Sequence, residues 1–171
     1  MSRALALAPA LMLAALVAVF GFYALHHDPQ VIPRATVGKP APDDSLPTLG
    51  GGAPAPIRSA VPGPMLVNFF ASWCAPCAAE APTLKALSDE GVRVVGVAWK
   101  DDPVQSREFL QRYGDPYKVV FVDRAGTTGI DFGVTGVPET YLVGGDGRIL
   151  DKTAGPLTAA DAQALARRAG F

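Results

Sequence analysis

The sequence predicts an α/β domain, a central mixed sheet with helices on both faces, preceded by a short β-hairpin. Three observations predict it. Short β-branched and aromatic runs alternate with helical stretches from Met65 onward. Gly144-Gly-Asp-Gly147 marks a tight hairpin near the end. Between them, an apolar stretch over 65–71 runs through Trp73 into Cys74-Ala-Pro-Cys77 at the start of a helical pattern.

In chain order, 45–49 and 55–59 are β-prone pieces around Gly50-Gly-Gly52 and read as the hairpin. The run over 65–71 is a buried strand. The helix that follows begins at Ala75 and runs to about Asp89, with Leu84 and Leu87 at core spacing; Pro82 should kink it and Gly91 ends it. Residues 92–98 form the next strand, and 104–113 an amphipathic helix that turns Phe109 and Leu110 inward. A strand over 119–122 leads to a Gly-rich loop, 123–132, with about one helical turn. Strands 139–143 and 148–153 flank the Gly144–Gly147 turn, and Thr158 caps a closing helix to about Arg168 with Leu165 on its inner face.

The chain has 171 residues, room for one ordinary domain and an appendage. With 15 Lys and Arg against 16 Asp and Glu, its net charge is -1, which excludes a basic footprint for nucleic acid. Mean hydropathy is high, +0.22. Part of that comes from 4–25, which carries no charged residue. About 20 such residues span a bilayer core. The core exceeds that of a cleaved signal, and 23–28 offers no small-x-small site. Residues 1–27 are therefore expected to be an uncleaved membrane anchor, oriented weakly by Arg3, with Tyr23, His26 and His27 at the interface. The Pro-rich stretch 28–44 reads as a linker, and 45–171 as the domain.

The chemistry sits in the cysteine pair. A helix start presents unpaired N–H groups and partial positive charge, which stabilise a thiolate. Such surroundings lower a cysteine pKa from about 8.5 to roughly 3.5–7.5. Cys74 lies at the helix mouth and is the natural attacking thiolate; Cys77, one turn in, is the resolving thiol. A zinc site would need about four ligands. The chain has two Cys and two His, and His26 and His27 lie far upstream. A permanent structural bridge would close so short a loop that it removes little chain entropy. Redox activity is the reading these residues favour, with no metal and no cofactor.

Trp73-Cys-Ala-Pro-Cys77, the kinking Pro82 and Val137-Pro138 before a strand together resemble the thioredoxin fold. More narrowly, Leu66-Val-Asn-Phe-Phe-Ala-Ser-Trp-Cys74, Lys100-Asp-Asp-Pro103, Gly129-Ile-Asp-Phe-Gly-Val-Thr-Gly-Val-Pro-Glu-Thr-Tyr-Leu142 and Gly155-Pro-Leu-Thr158 resemble the membrane-anchored thiol:disulfide interchange proteins of cytochrome c maturation, the DsbE/CcmG type. The resemblance covers roughly 38–165 and implies a thioredoxin-like three-layer fold. It also implies a bacterial inner-membrane protein, single-pass, whose domain faces the periplasm. A membrane thiol donor would keep that domain reduced, and it would pass electrons to the haem-attachment Cys-x-x-Cys-His pair of apocytochrome c.

The resemblance further implies a cis Val137–Pro138 bond, with the Val137 backbone free to pair with an extended substrate. Asn68 stands six residues before Cys74, where ordinary thioredoxins place a buried acid. An amide cannot take a proton there. Glu80, three residues after Cys77 on the same helix, and Glu139, after Pro138, are the expected acids, acting through water. The plainer alternatives are a solvated Glu80 and a loop-capping Glu139. Trp73 is expected as a lid over the cysteines, or as simple packing, and Pro76 completes the pair's turn. Asp101 and Asp102 read either as a surface acidic turn near the site or as a plain solvated turn, and Trp99 as core. Competing functions are a general periplasmic reductase serving other thiols or copper sites, and a tethered chaperone without redox turnover. A disulfide-forming oxidase would usually need an inserted helical domain, for which there is no room.

Overall fold

The computed structural model describes residues 3–26, 35–59 and 62–171. The chain divides into two compact units, Met1–Ile32 and Pro33–Phe171.

The first unit is the helix α1 (Arg3–His26), with Pro9 inside it. α1 does not bear out the membrane anchor expected over 1–27. Among the described residues, no helix is long and apolar enough to cross a membrane. Pro9 lies within α1 and removes a backbone hydrogen bond there. The single-pass inner-membrane placement expected from 1–27 falls with it. His27 and residues 28–34 lie outside the described residues, as does the side chain of His26.

The second unit opens with a chain segment that closes one sheet edge. Gly38 N–H donates to Ile149 O, Ile149 N–H to Lys39 O, and Ala41 N–H to Gly147 O. Residues 35–44, read as linker from their prolines, thus belong to the folded unit. The hairpin follows as β1 (Ser45–Leu46) and β2 (Ala55–Pro56), antiparallel, then a 3-10 turn over Ile57–Ser59.

The main sheet holds β3 (Met65–Phe70), β4 (Val94–Trp99), β5 (Val119–Asp123), β6 (Glu139–Val143) and β7 (Ile149–Ala154), in the spatial order β5-β4-β3-β6-β7. β3 pairs parallel with β4 and antiparallel with β6. It is the central strand, buried along its whole length, and its unbroken apolar character follows from having both faces covered. Val67, Phe69, Val97, Phe121 and Tyr141 face one side and pack with Phe132 of α4 (Thr127–Phe132). Leu66, Phe70, Val94, Ala98 and Leu142 face the other, against α2 (Ala75–Asp89), α3 (Pro103–Tyr113) and α5 (Ala159–Ala169). The result is a thioredoxin-like three-layer fold.

Local chemistry sets the boundaries. Asp102 caps α3, and Thr158 with Asp161 forms a capping box on α5. α2 stops at Gly91, whose φ of 91° only glycine adopts cheaply. Val92 N–H then bonds Leu87 O, so β4 begins two residues later than its valine run suggests.

Candidate functional site: a bridged cysteine pair above a buried amide

The C-terminal ends of β3 and β4 are neighbours because the strands run parallel, so the loops that leave them lie side by side. Asp101, at the end of β4, reaches across. Its carboxylate accepts from Ser72 N–H at 2.8 Å, Ser72 Oγ at 2.7 Å and Ser106 Oγ at 2.6 Å. That pins the turn from β3 into α2, and with it Trp73 and Cys74.

Cys74 is the N-cap of α2, and Pro76 lies in the first turn, where a missing N–H costs nothing. Cys74 and Cys77 form a disulfide. Cys77 N–H also donates to Cys74 Sγ at 3.1 Å. The same donor would face a Cys74 thiolate after reduction, alongside the positive end of α2. Both cysteines are nearly buried, whereas Trp73 beside them is 60% exposed.

On the same face of the sheet lies a polar cluster within an apolar layer. Asn68, in the middle of β3, donates through Nδ2 to Glu80 Oε1 at 2.9 Å and to Thr140 Oγ1 at 3.0 Å. Its Oδ1 accepts from the Tyr117 hydroxyl at 2.7 Å. Glu80, only 1% exposed, also accepts from Leu157 N–H at 2.8 Å. Burial raises the Glu80 carboxyl above its ordinary range, opposed in part by these two hydrogen bonds. Burial and the nearby Glu80 charge push the Tyr117 hydroxyl up, so it stays a donor.

The Val137–Pro138 bond is cis. Val137 packs against the layer that holds Cys74 and Cys77. Glu139 follows, and its register opposite Phe69 puts it on the other face of the sheet from Asn68 and Glu80. There it is engaged on every side, by Lys152 Nζ at 2.9 Å, the Tyr141 hydroxyl at 2.8 Å, and Thr135 N–H and Oγ at 3.1 and 2.6 Å. Among the described residues, no group of three His, Cys, Asp or Glu side chains is placed to hold a metal ion.

Residues 36–166 match the Redoxin family. Over 159 residues the chain is 44% identical to thiol:disulfide interchange protein HelX of Rhodobacter capsulatus, covering 92% of this chain and 90% of that one. This chain belongs to the redoxin family, among its thiol:disulfide interchange proteins. It is also 44% identical over 140 residues to DsbE of Allochromatium vinosum, covering 81% of this redoxin and 77% of the relative. Among solved structures, a thioredoxin-family thiol:disulfide interchange protein of Chlorobium tepidum superposes with a TM-score of 0.62 at 29% identity, covering 76% of this chain and 94% of that one. The thio-disulfide isomerase of Thermus thermophilus gives 0.66 at 27%, covering 78% and 96%. The redoxin is a protein-disulfide oxidoreductase.

Of the residues singled out from sequence, the structure gathers Asn68, Trp73, Cys74, Pro76, Cys77, Glu80 and Val137 on the face that carries α2. It separates Glu139 from them. Asp101 was expected on a surface turn, near the site or merely solvated. It is 5% exposed and holds the active turn in place. Tyr117 and Lys152 carried no signal of their own, because what matters is a partner distant in sequence. The Lys100-Asp-Asp-Pro103 motif was the one available pointer to Asp101. Trp99 is half-buried against the core, and its Nε1 donates to Gly126 O.

Proposed function

We propose that this redoxin works as a reductant of protein disulfides in cytochrome c maturation, with the haem-attachment Cys-x-x-Cys-His pair of apocytochrome c as its substrate. The observation that carries the reading is Cys74, capping α2 and accepting a hydrogen bond from Cys77 N–H. The resemblance of Lys100-Asp-Asp-Pro103 and Gly136-Val-Pro-Glu-Thr140 to the DsbE/CcmG type supports the choice of substrate.

The Cys74 thiolate attacks one sulfur of the substrate disulfide, forming a mixed disulfide and releasing one substrate thiolate. Cys77 then loses its proton and attacks Cys74 Sγ. The second substrate thiolate leaves, and the redoxin carries the Cys74–Cys77 bridge. A dithiol donor returns two electrons for the next cycle. Glu80 is the proton acceptor for Cys77 in this scheme, one helical turn further along α2, with a carboxyl that burial raises above its ordinary range. Trp73 offers the substrate an exposed aromatic surface, and the Val137 backbone an edge to pair with. Glu139 acts as an anchor for the 133–138 loop rather than as a base.

The test is the rate at which the reduced redoxin reduces an oxidised Cys-x-x-Cys-His peptide, set against the same peptide with alanine for the histidine. Faster reduction of the first is expected. Equal rates on the two, and on unrelated disulfide peptides, would favour a general reductase.

A further inference from the structure

The loop between α4 and β6 is closed around a single buried ion pair. Lys152, from β7, has a side chain only 3% exposed. Its ammonium sits 2.9 Å from Glu139 Oε2, donates to Gly133 O at 2.8 Å, and lies over the Tyr141 ring at 5.2 Å from its centre. Glu139 Oε1 accepts from both the N–H and the hydroxyl of Thr135. The start of the loop (Gly133), its middle (Thr135) and its end (Glu139) are therefore held on one ammonium and one carboxylate. From the far side, Gly155 N–H donates to Pro138 O at 2.9 Å. What remains between these ties is Gly136, Val137 and Pro138, and Val137 rests on the layer of the cysteine pair.

This is an expensive way to hold a loop. Two charges leave water for a site where an apolar pair of like volume would often serve stability as well or better. What an apolar pair could not supply is direction. An ammonium with three donors takes a main-chain carbonyl and a carboxylate at fixed angles, and the carboxylate in turn takes Thr135.

We infer that Lys152 is a positioning residue for substrate. Through Glu139 and Gly133 it fixes the backbone of residues 135–138, and so sets the affinity for an extended, disulfide-bearing peptide laid beside Cys74. The inference rests on the proposed reading in one respect, that the substrate is a polypeptide that pairs with the Val137 backbone. Lys152 touches neither cysteine and takes no part in the exchange chemistry.

The experiment compares the full chain with Lys152→Met and with Lys152→Met/Glu139→Gln. The double variant removes both charges and so avoids a stranded carboxylate if the single variant folds poorly. Lys152→Arg is the conservative control. Each reduced protein is assayed against three disulfides: the Cys-x-x-Cys-His peptide, its alanine counterpart, and the small aromatic disulfide 5,5′-dithiobis(2-nitrobenzoate), which needs no backbone pairing. KM for both peptides should rise about tenfold, as expected when a positioning group is lost, while kcat and the rate with the small disulfide stay within about twofold. Lys152→Arg should recover part of the peptide KM. Unchanged peptide KM in the folded double variant would overturn the inference. So would a parallel loss on all three disulfides, which would mean that the pair merely supports the fold. If the unaltered protein treats the two peptides alike, the haem-peptide reading fails, while the KM comparison still decides the role of Lys152.

Discussion

Asn68 donates its amide to the Glu80 carboxylate at 2.9 Å, in the middle of the layer that carries the cysteine helix. Asn68 supplies a fixed donor and stays neutral. Glu80 supplies the only carboxylate of that cluster, and it comes from α2 itself. The Tyr117 hydroxyl on Asn68 Oδ1 fixes which end of the amide faces Glu80. The charge of this cluster is therefore tied to the position of α2.

Replacing Asn68 by Asp turns a donor into a second carboxylate facing Glu80. Two carboxylates at that separation share a proton rather than ionise together. Asn68→Asp should lose stability relative to the parent as pH rises, by about 2–4 kcal/mol at neutral pH and less in mild acid. Urea unfolding at the two pH values checks this. A loss independent of pH would contradict it.

Glu80→Gln reads the raised carboxyl directly. Unfolded, Glu80 titrates near 4.5; folded, burial keeps it protonated to higher pH. Between those points the folded chain holds more protons than the unfolded one, so the parent's stability falls as pH rises. Glutamine has no such slope. The stability of the parent minus that of Glu80→Gln should be largest below pH 4.5 and should shrink as pH rises through the folded value. Thermal unfolding across that range measures it, and a difference that grows with pH would reverse the assignment.

Asp101→Ala strips three hydrogen bonds from Ser72 and Ser106. Unfolding free energy should drop by about 2–4 kcal/mol, because buried donors lose their partner. Exchange with peptide disulfides should slow as well, since the turn carrying Trp73 and Cys74 is released. Chemical denaturation and stopped-flow assays of one preparation report both effects.

Trp73→Ala should separate binding from stability. A side chain 60% exposed contributes little to the core. The unfolding free energy should move by less than about 0.5 kcal/mol. The KM for a peptide disulfide should rise about tenfold if the indole is a docking surface. Titration calorimetry with the cysteines changed to serine measures the affinity without turnover.

Much of this was legible in the sequence, and the exceptions have physical causes. The strand and helix order follows from apolar periodicity, which is local. The helix-capping role of Cys74 follows from Pro76 and the turn before it. The burial of Asp101 was not legible, because a carboxylate in a Lys-Asp-Asp turn looks solvated until Ser72 and Ser106 are known to lie beside it. Glu80 and Glu139 looked equivalent from their distances to the cysteines and to Pro138. The sheet separates them, since Glu139 is opposite Phe69 while Asn68 is opposite Thr140. The sequence of α1 suggested a membrane span, whereas among the described residues no helix is long and apolar enough to cross one. The Pro-rich segment 35–44 looked like a tether, yet its backbone groups pair with β7 and the turn before it.

The central claim is that Cys74 is the attacking thiol and apocytochrome c its target. The most direct measurement is a trap. In Cys77→Ser the mixed disulfide has no resolving thiol, so the adduct on Cys74 persists through an acid quench and can be identified by mass spectrometry. The account predicts apocytochrome c, linked through a cysteine of its haem-attachment pair. An adduct spread over many unrelated proteins, or no adduct on Cys74 at all, would contradict it.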